Sequence, residues 1–422
     1  MEKLLVLGST GRGTTELLLE AKRRGIYTII TDTLSPEQSL VKLIADEYWM
    51  ISTDQIDLLE KKCREEEING IINGISTFNI GITMELCRRL GFQCYATPES
   101  WYYTVDKRAF KDICIKNGVS VARDYHVSLQ PTEAELEVIN FPVVVKAIDQ
   151  SANRGMSYCY KKEDIQKACD FARSVSKSET VIIEKMLRGK EYAAWYAMAD
   201  GEVSLIDFGA MLSQPGYPSK CYSFTVTCED KRDVFMKEIH PFFVNALKEM
   251  GCKEGIGWIE MMVDEDDGHI YALEMGYRMS GDMMCLPLGN SHNFNIFGWL
   301  LDIAMGKKHT KEDLIRLRLD AERSSLACSY ILFSTKGGSI SQISGLDEIK
   351  HIPTLNVDSR LKVGDKVEEN QYLAVITFNV NDTPKMFEII KEINKKVSYK
   401  VEGEDIVIRY TDFETLKEIN PV

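Results

Sequence analysis

The chain has 422 residues, a net charge of −13, and hydrophobic and charged shares of 44% and 27%. That length exceeds what one hydrophobic core usually organises, so two to four domains of ordinary globular composition are expected. The acidic balance argues against a nucleic-acid or anionic-membrane partner, and no apolar run approaches the ~20 residues that span a bilayer.

The N-terminus runs directly into a strand-like segment without the longer apolar stretch of a signal peptide. The eleven scattered cysteines contain no CxxC pair, which reads as reduced thiols in a cytoplasmic protein. Residues 3–7 form an apolar run that ends in Gly8-Ser9-Thr10-Gly11-Arg12-Gly13. A helical pattern with Leu17, Leu18 and Ala21 follows, then a second strand over 26–31 that ends at Asp32. Alternation continues through 56–66, 70–72 and 80–90, predicting a doubly wound, Rossmann-like parallel sheet over residues 1–105.

Residues 104–120 read as one helix carrying Lys107, Lys111 and Lys116. Short β-rich runs then dominate: 143–147, 181–184, 191–199 and 202–209, the last two joined at Asp200-Gly201. Residues 231–250 read as one amphipathic stretch, and strands at 257–263 and 270–274 flank an acidic turn. The final hundred residues, with strands near 337–340 and 372–379, a helix over 384–397 and a hairpin through Gly403, predict a small α+β module packed on the rest. The fold class expected is therefore multidomain, α/β followed by α+β.

Four segments carry candidate chemistry. Glycines between the first strand and helix let backbone approach an anion, and Asp32 sits where a dinucleotide-binding domain places its ribose acid. The spacing is GxxGxG, however, and a tight structural turn is an equally good reading. Lys146 ends the apolar strand 143–147, and the small polar loop 149–157 after it could fold over phosphates. An exposed edge lysine and an ordinary turn are the alternative. In the third segment, Glu184 and the backbone at 185–187 could read an adenine edge, and Glu191 could accept from ribose hydroxyls. Alone, these residues read more simply as solvated charges flanking a strand.

The fourth segment is the most informative. Pairing 257–263 with 270–276 brings Glu260 and Glu274 together inside apolar runs, where two carboxylates repel unless one is protonated or a cation intervenes. Oxygen ligands of this kind suit Mg²⁺ bridging phosphates. Arg278, four residues on, could neutralise a transferred phosphoryl group or a substrate carboxylate. Two salt-bridged acids are the alternative.

In order and context these elements resemble the ATP-grasp superfamily of carboxylate–amine ligases, over nearly the whole chain. The resemblance implies an ATP-grasp domain over 106–320, with a lid at about 121–190, and a C-terminal module over 321–422. It implies that Lys107 and Lys146 meet ATP phosphates and that the loop with Ser151, Arg154, Gly155 and Met156 closes over them. Glu184, Lys185, Leu187 and Glu191 would surround adenosine, and Glu260 and Glu274 would hold Mg²⁺. Lys146 and Arg278 would be catalytic, with Tyr277, Arg278, Ser280 and Gly281 at the acid substrate.

The implied activity is ADP-forming ligation, through an acyl phosphate, of a small carboxylic acid such as an amino acid to an amine or thiol. A homodimer is a family-level expectation. Substrate choice is expected in 212–222, including Lys220. Relatives usually read Glu-x-Asn-x-Arg where this chain has Glu274-Met275-Gly276-Tyr277-Arg278, so an oxygen ligand is missing. Two rival readings remain: a nicotinamide-dependent dehydrogenase, from the first glycine loop and Asp32, and an ATP-binding regulatory protein with weakened catalysis, from Gly276.

Overall fold

The computed structural model describes residues 1–127, 131–148, 155–176, 180–217, 222–319 and 322–420. The chain opens with β1 (Lys3–Leu7), α1 (Thr14–Arg23), β2 (Tyr27–Thr31), β3 (Glu47–Trp49), α2 (Ile56–Glu65), β4 (Gly70–Asn73) and α3 (Thr77–Leu90). These strands form a parallel sheet in the order β3-β2-β1-β4. β1 and β4 are apolar throughout except for their ends, as a sheet covered on both faces requires.

The expected single helix over 104–120 is two helices, α4 (Pro98–Val105) and α5 (Lys107–Lys116). Asp106 is extended between them, and its carboxylate accepts from the Arg108 and Ala109 amides at 2.9 Å. An aspartate that caps a new helix interrupts the old one. The following short helix α6 (Glu133–Glu137) leads into β5 (Val143–Ala147), β6 (Ser157–Cys159), α7 (Ile165–Val175) and β7 (Val181–Lys185). Their three strands make a separate sheet in the order β6-β5-β7, backed by α7 over a core of its own.

Next come β8 (Glu191–Ala199), β9 (Glu202–Ser213), β10 (Tyr222–Thr227), α8 (Arg232–Glu238), α9 (His240–Glu249), β11 (Gly255–Val263) and β12 (Ile270–Gly276). The expected continuous stretch at 231–250 breaks where Pro241 enters the first turn of α9, a position that tolerates its missing N–H. Helices α10 (Cys285–Ser291), α11 (Ile296–Ala304) and α12 (Lys311–Leu317) precede β13 (Leu326–Ser334), β14 (Gly338–Ser344), β15 (Asn356–Asp358), β16 (Lys366–Val367) and β17 (Tyr372–Val380). The chain then closes through α13 (Thr383–Lys396), β18 (Ser398–Val401), β19 (Glu404–Asp405), β20 (Val407–Ile408) and α14 (Phe413–Ile419).

The central sheet runs β12-β11-β8-β9-β10-β13-β17-β15 among the described residues, with β20 on β13. The sheet therefore does not stop near residue 320. β13 pairs with β10, Phe224 opposite Tyr330, so the C-terminal strands continue the sheet that carries Glu260 and Glu274. No helix among the described residues is long and apolar enough to cross a membrane.

One buried polar knot fixes the middle of this sheet. Asp207, 1% exposed, sits at a β-bulge in β9 and accepts from Arg232 at 2.9 Å and Arg323 at 3.4 Å. His292 Nε2 lies 3.0 Å from its other oxygen. It thus ties β9 to α8, to the segment that follows α10, and to the approach to β13. Removing one partner of such a cluster leaves the others desolvated and unpaired. Asp207→Ala is expected to cost about 3 kcal/mol of stability, read from the urea-unfolding midpoint.

Candidate functional site

Where the small three-stranded sheet faces the central one lies a cleft of about 500 Å³, a volume typical of small-molecule sites. Its walls bring together twelve positions singled out in the sequence. Lys107, Lys146, Met156, Glu184, Lys185 and Leu187 reach it from α5 and the small sheet with its flanking loops. Glu191, Glu260, Glu274, Arg278, Ser280 and Gly281 reach it from the central sheet and the segment after β12.

The two carboxylates stand face to face. Glu260 in β11 is the direct register partner of Glu274 in β12, next to a β-bulge at Glu260/Met261. Enclosure at the cleft floor, then the nearby Glu274, Glu191 and Asp282, push the Glu260 carboxyl well above its ordinary range, against the pull of Arg278. Glu191 is likewise pushed up to about 7, by burial first, offset by a hydrogen bond from Tyr222 and reinforced by Glu274. Its Oε2 is buried without a partner, as is the Nε of Arg278.

On the opposite wall, Glu184 is 4% exposed, and its two oxygens pair with Lys111 and Lys146. Burial raises that carboxyl, but the two lysines outweigh it and hold it below its usual range. The side chain expected to read an adenine amine is thus already bridged between two cations. Lys185 is drawn to the acidic turn by Asp264, and the backbone amides of Lys185 and Met186 donate to Arg123 O at 3.0 Å and Pro142 O at 3.2 Å. Lys107 Nζ lies 3.8 Å from Glu274.

Tyr277 is not in the cleft. It is fully buried on the other face of its strand, edge-on to Tyr95, with its hydroxyl 3.0 Å from the Tyr95 carbonyl. Strand alternation sends Glu274 and Arg278 to one side and Tyr277 to the other. The Ser280 hydroxyl reaches the cleft but donates to Asp282 at 2.5 Å. Gly155, at φ 77°, backs onto Ala147 and α7, while Ser151 and Arg154 lie outside the described residues, as does Lys220.

Gly276 has a physical reason. It pairs with Trp258, and a Cβ on residue 276 would come within 2.3 Å of the Trp258 ring. The indole fills the space an asparagine would need, and the Arg278 guanidinium sits over the same ring at 5.2 Å. Besides Trp258, sequence reasoning missed Asp282 and Trp195 in the cleft wall. Trp258 lies two residues from Glu260, on the same face by simple alternation, and Asp282 follows Arg278 in a short polar run. Lys111 reads from the sequence only as a helix residue.

The first glycine loop serves structure. Asp32 accepts from the Ser9 amide at 2.6 Å and pairs with buried Lys42 at 2.7 Å. Arg360 donates to the carbonyls of Ser9 and Gly11 at 3.4 and 3.1 Å, so the C-terminal strands cover the loop. The ribose acid of a dehydrogenase is already committed here.

Among the described residues no group of three or more His, Cys, Asp or Glu is arranged to hold a metal ion alone. A facing carboxylate pair with one strongly raised pKa fits an ion that takes its remaining ligands from phosphate oxygens and water. Two expectations follow. Because folded Glu191 retains its proton up to about pH 7 while the unfolded chain loses it near 4.5, stability should fall as pH rises through that window. Glu191→Gln should flatten the fall, as read by thermal melts from pH 4.5 to 7.5. Gly276→Asn should destabilise by about 1–3 kcal/mol through overpacking, and Trp258→Ala in the same chain should recover part of the loss in a double-mutant cycle.

Residues 139–286 match the ATP-grasp domain family. The formate-dependent phosphoribosylglycinamide formyltransferase of Bacteroides fragilis is 27% identical over 330 residues, covering 72% of this chain and 78% of that enzyme. The enzyme of the same name from Methanococcus maripaludis is 26% identical over 191 residues, so the chain spans 48% of its length, and 44% of this chain is covered. Phosphoribosylglycinamide synthetase from Anaerococcus prevotii superposes with a TM-score of 0.73 at 17% identity, covering 95% of this chain and 100% of that one. The L-amino acid ligase of Bacillus licheniformis does so at 0.75 and 16%, covering 96% and 99%. With the facing glutamates, the lysine-bearing strand and the arginine after β12 in one cleft, residues 139–286 form the ATP-grasp domain of an enzyme.

Proposed function

We propose that this protein is an ADP-forming ligase that activates a small carboxylic acid as an acyl phosphate and passes it to an amine. The observation that carries this reading is the Glu260–Glu274 pair at the floor of a cleft whose other wall presents Lys146. The order along β11 supports it. Met262 and Leu187 give an apolar surface beside Glu191 for an adenosine, then come the carboxylates, then Arg278.

The acid's carboxylate oxygen attacks the γ-phosphorus of ATP as the bond to the β-bridging oxygen breaks, and ADP departs. The amine nitrogen then attacks the acyl carbon, the carbon–oxygen bond to phosphate breaks, and the surplus amine proton leaves to solvent. Mg²⁺ held by Glu260 and Glu274 would supply Lewis-acid polarisation of the phosphoryl oxygens. Lys146, fixed by Glu184, and Lys107, beside Glu274, stand where phosphate charge needs neutralising. Arg278 is tethered to the Met279 carbonyl at 2.8 Å and braced on Trp258, which orients its guanidinium toward the acid. Closure of the small sheet over the cleft would exclude the water that hydrolyses acyl phosphates.

Acyl-phosphate formation is read by incubating the protein with Mg–ATP, a pool of carboxylic acids and hydroxylamine, and measuring hydroxamate and ADP together. Equal yields of the two are expected. ADP release without hydroxamate from any acid would remove the acyl phosphate from the scheme. Glu274→Gln is expected to lower ADP release by about 100-fold or more, with the melting curve little changed. Near-normal turnover in that variant would defeat the metal assignment.

A further inference from the structure

We propose that the acid-binding end of the cleft is built for a monocarboxylic acid with a bulky apolar body, held on a wall of Trp195 and Trp258; this rests on the ligase reading above. The register of three neighbouring strands carries the inference. Glu260 lies opposite Glu274 on one side and Ala193 on the other. Two residues back, Trp258 lies opposite Gly276 and Trp195. These are adjacent rows on one sheet face, about 7 Å apart along the strand. A group that meets the metal row with its carboxylate therefore lays the rest of its body over the tryptophan row.

The wall is rigid. Gly276 leaves room for the Trp258 ring against the neighbouring strand, and the Arg278 guanidinium holds one side of it, 5.2 Å from the ring centre. Met211, opposite Glu191, and Ile331 and Phe333 on β13 give the far part of the same cleft an apolar lining as well. Cationic capacity at this end is largely committed. Arg12 pairs with Asp358 at 3.5 Å and sits over the Tyr372 ring at 4.4 Å, and Arg360 holds the same aspartate at 2.9 Å. A substrate carrying its own phosphate would have to break those pairs, whereas an apolar body gains by covering the existing lining.

Two measurements on the full chain test this. In the first, protein loaded with Mg²⁺ and a non-hydrolysable ATP analogue is titrated calorimetrically with phenylacetate, L-phenylalanine, acetate and glycine. The second measures hydroxylamine-trapped turnover with the same four acids. At least one of the two phenyl-bearing acids is expected to bind and to exceed its small counterpart by about 100-fold in kcat/KM. Trp258→Ala should narrow that ratio at least tenfold, and Trp258→Phe should keep most of it. If the alanine variant fails to fold, Trp195→Leu should narrow the ratio in the same direction.

Binding of a phenyl acid without ADP release would uphold the pocket and defeat the ligase reading. Turnover confined to acetate or glycine would uphold the ligase and overturn the pocket. Absence of both binding and turnover with the phenyl acids would overturn it too.

Discussion

Two carboxylates placed directly opposite each other on neighbouring strands are an electrostatic liability that the surrounding structure must manage. In water the pair would cost little, but at the floor of a narrow cleft each charge loses solvent and faces the other. Glu260 responds with a strongly raised pKa, and Glu191 and Asp282 add to the crowding. Lys107 and Arg278 answer part of the charge from two sides. Arg278 is itself desolvated and leans on an aromatic face as well as on the acids. The remaining imbalance is what a divalent cation with bound phosphates would relieve, so stability and ligand binding are coupled through the same few atoms.

The other wall solves the opposite problem. Lys146 on β5 and Lys111 on α5 would repel each other if left alone, and Glu184 on β7 sits between them. Because Lys111 belongs to the body and the other two to the small sheet, this triad also joins the two parts behind one wall of the cleft. Backbone contacts repeat the link at the hinge, with the Ala272 amide on Ser120 O and the Tyr125 amide on Ile183 O. Glu184 thus positions Lys146 while tethering the sheet that carries it. Burial makes that bridge strong, because a lone charge in its place would be far more costly.

Much of this was legible because it is local. The β11–β12 hairpin could be read from two apolar runs around an acidic turn, and that alone set Glu260 against Glu274. Strand alternation from Glu274 puts Arg278 on the cleft side, and the same rule sends Tyr277 to the core and Trp258 into the cleft wall. The boundary at Asp106 and the break before Pro241 were also written locally, in a capping aspartate and a first-turn proline. The rest of what sequence reasoning missed is non-local. Nothing in the chain near residue 326 says that β13 will pair with β10, a hundred residues earlier, or that Arg360 will cover a glycine loop 349 residues away. Glu184 reads as a solvated strand end until the fold brings Lys111 to it.

The exchange at position 276 links these observations. An asparagine there would offer the cation an oxygen, whereas glycine offers none and instead makes room for an indole. The cleft thereby loses a polar ligand beside Glu274 and acquires a flat apolar surface under Arg278. An aromatic face lowers the cost of enclosing a guanidinium without neutralising it. A carboxylate would neutralise that charge, and water would screen it. On the ligase reading proposed above, a bound cation would depend more on phosphate oxygens and water, and recognition of the acid would fall to packing. The same glycine would therefore disfavour a second tightly held ion while narrowing, on that reading, what the cleft accepts.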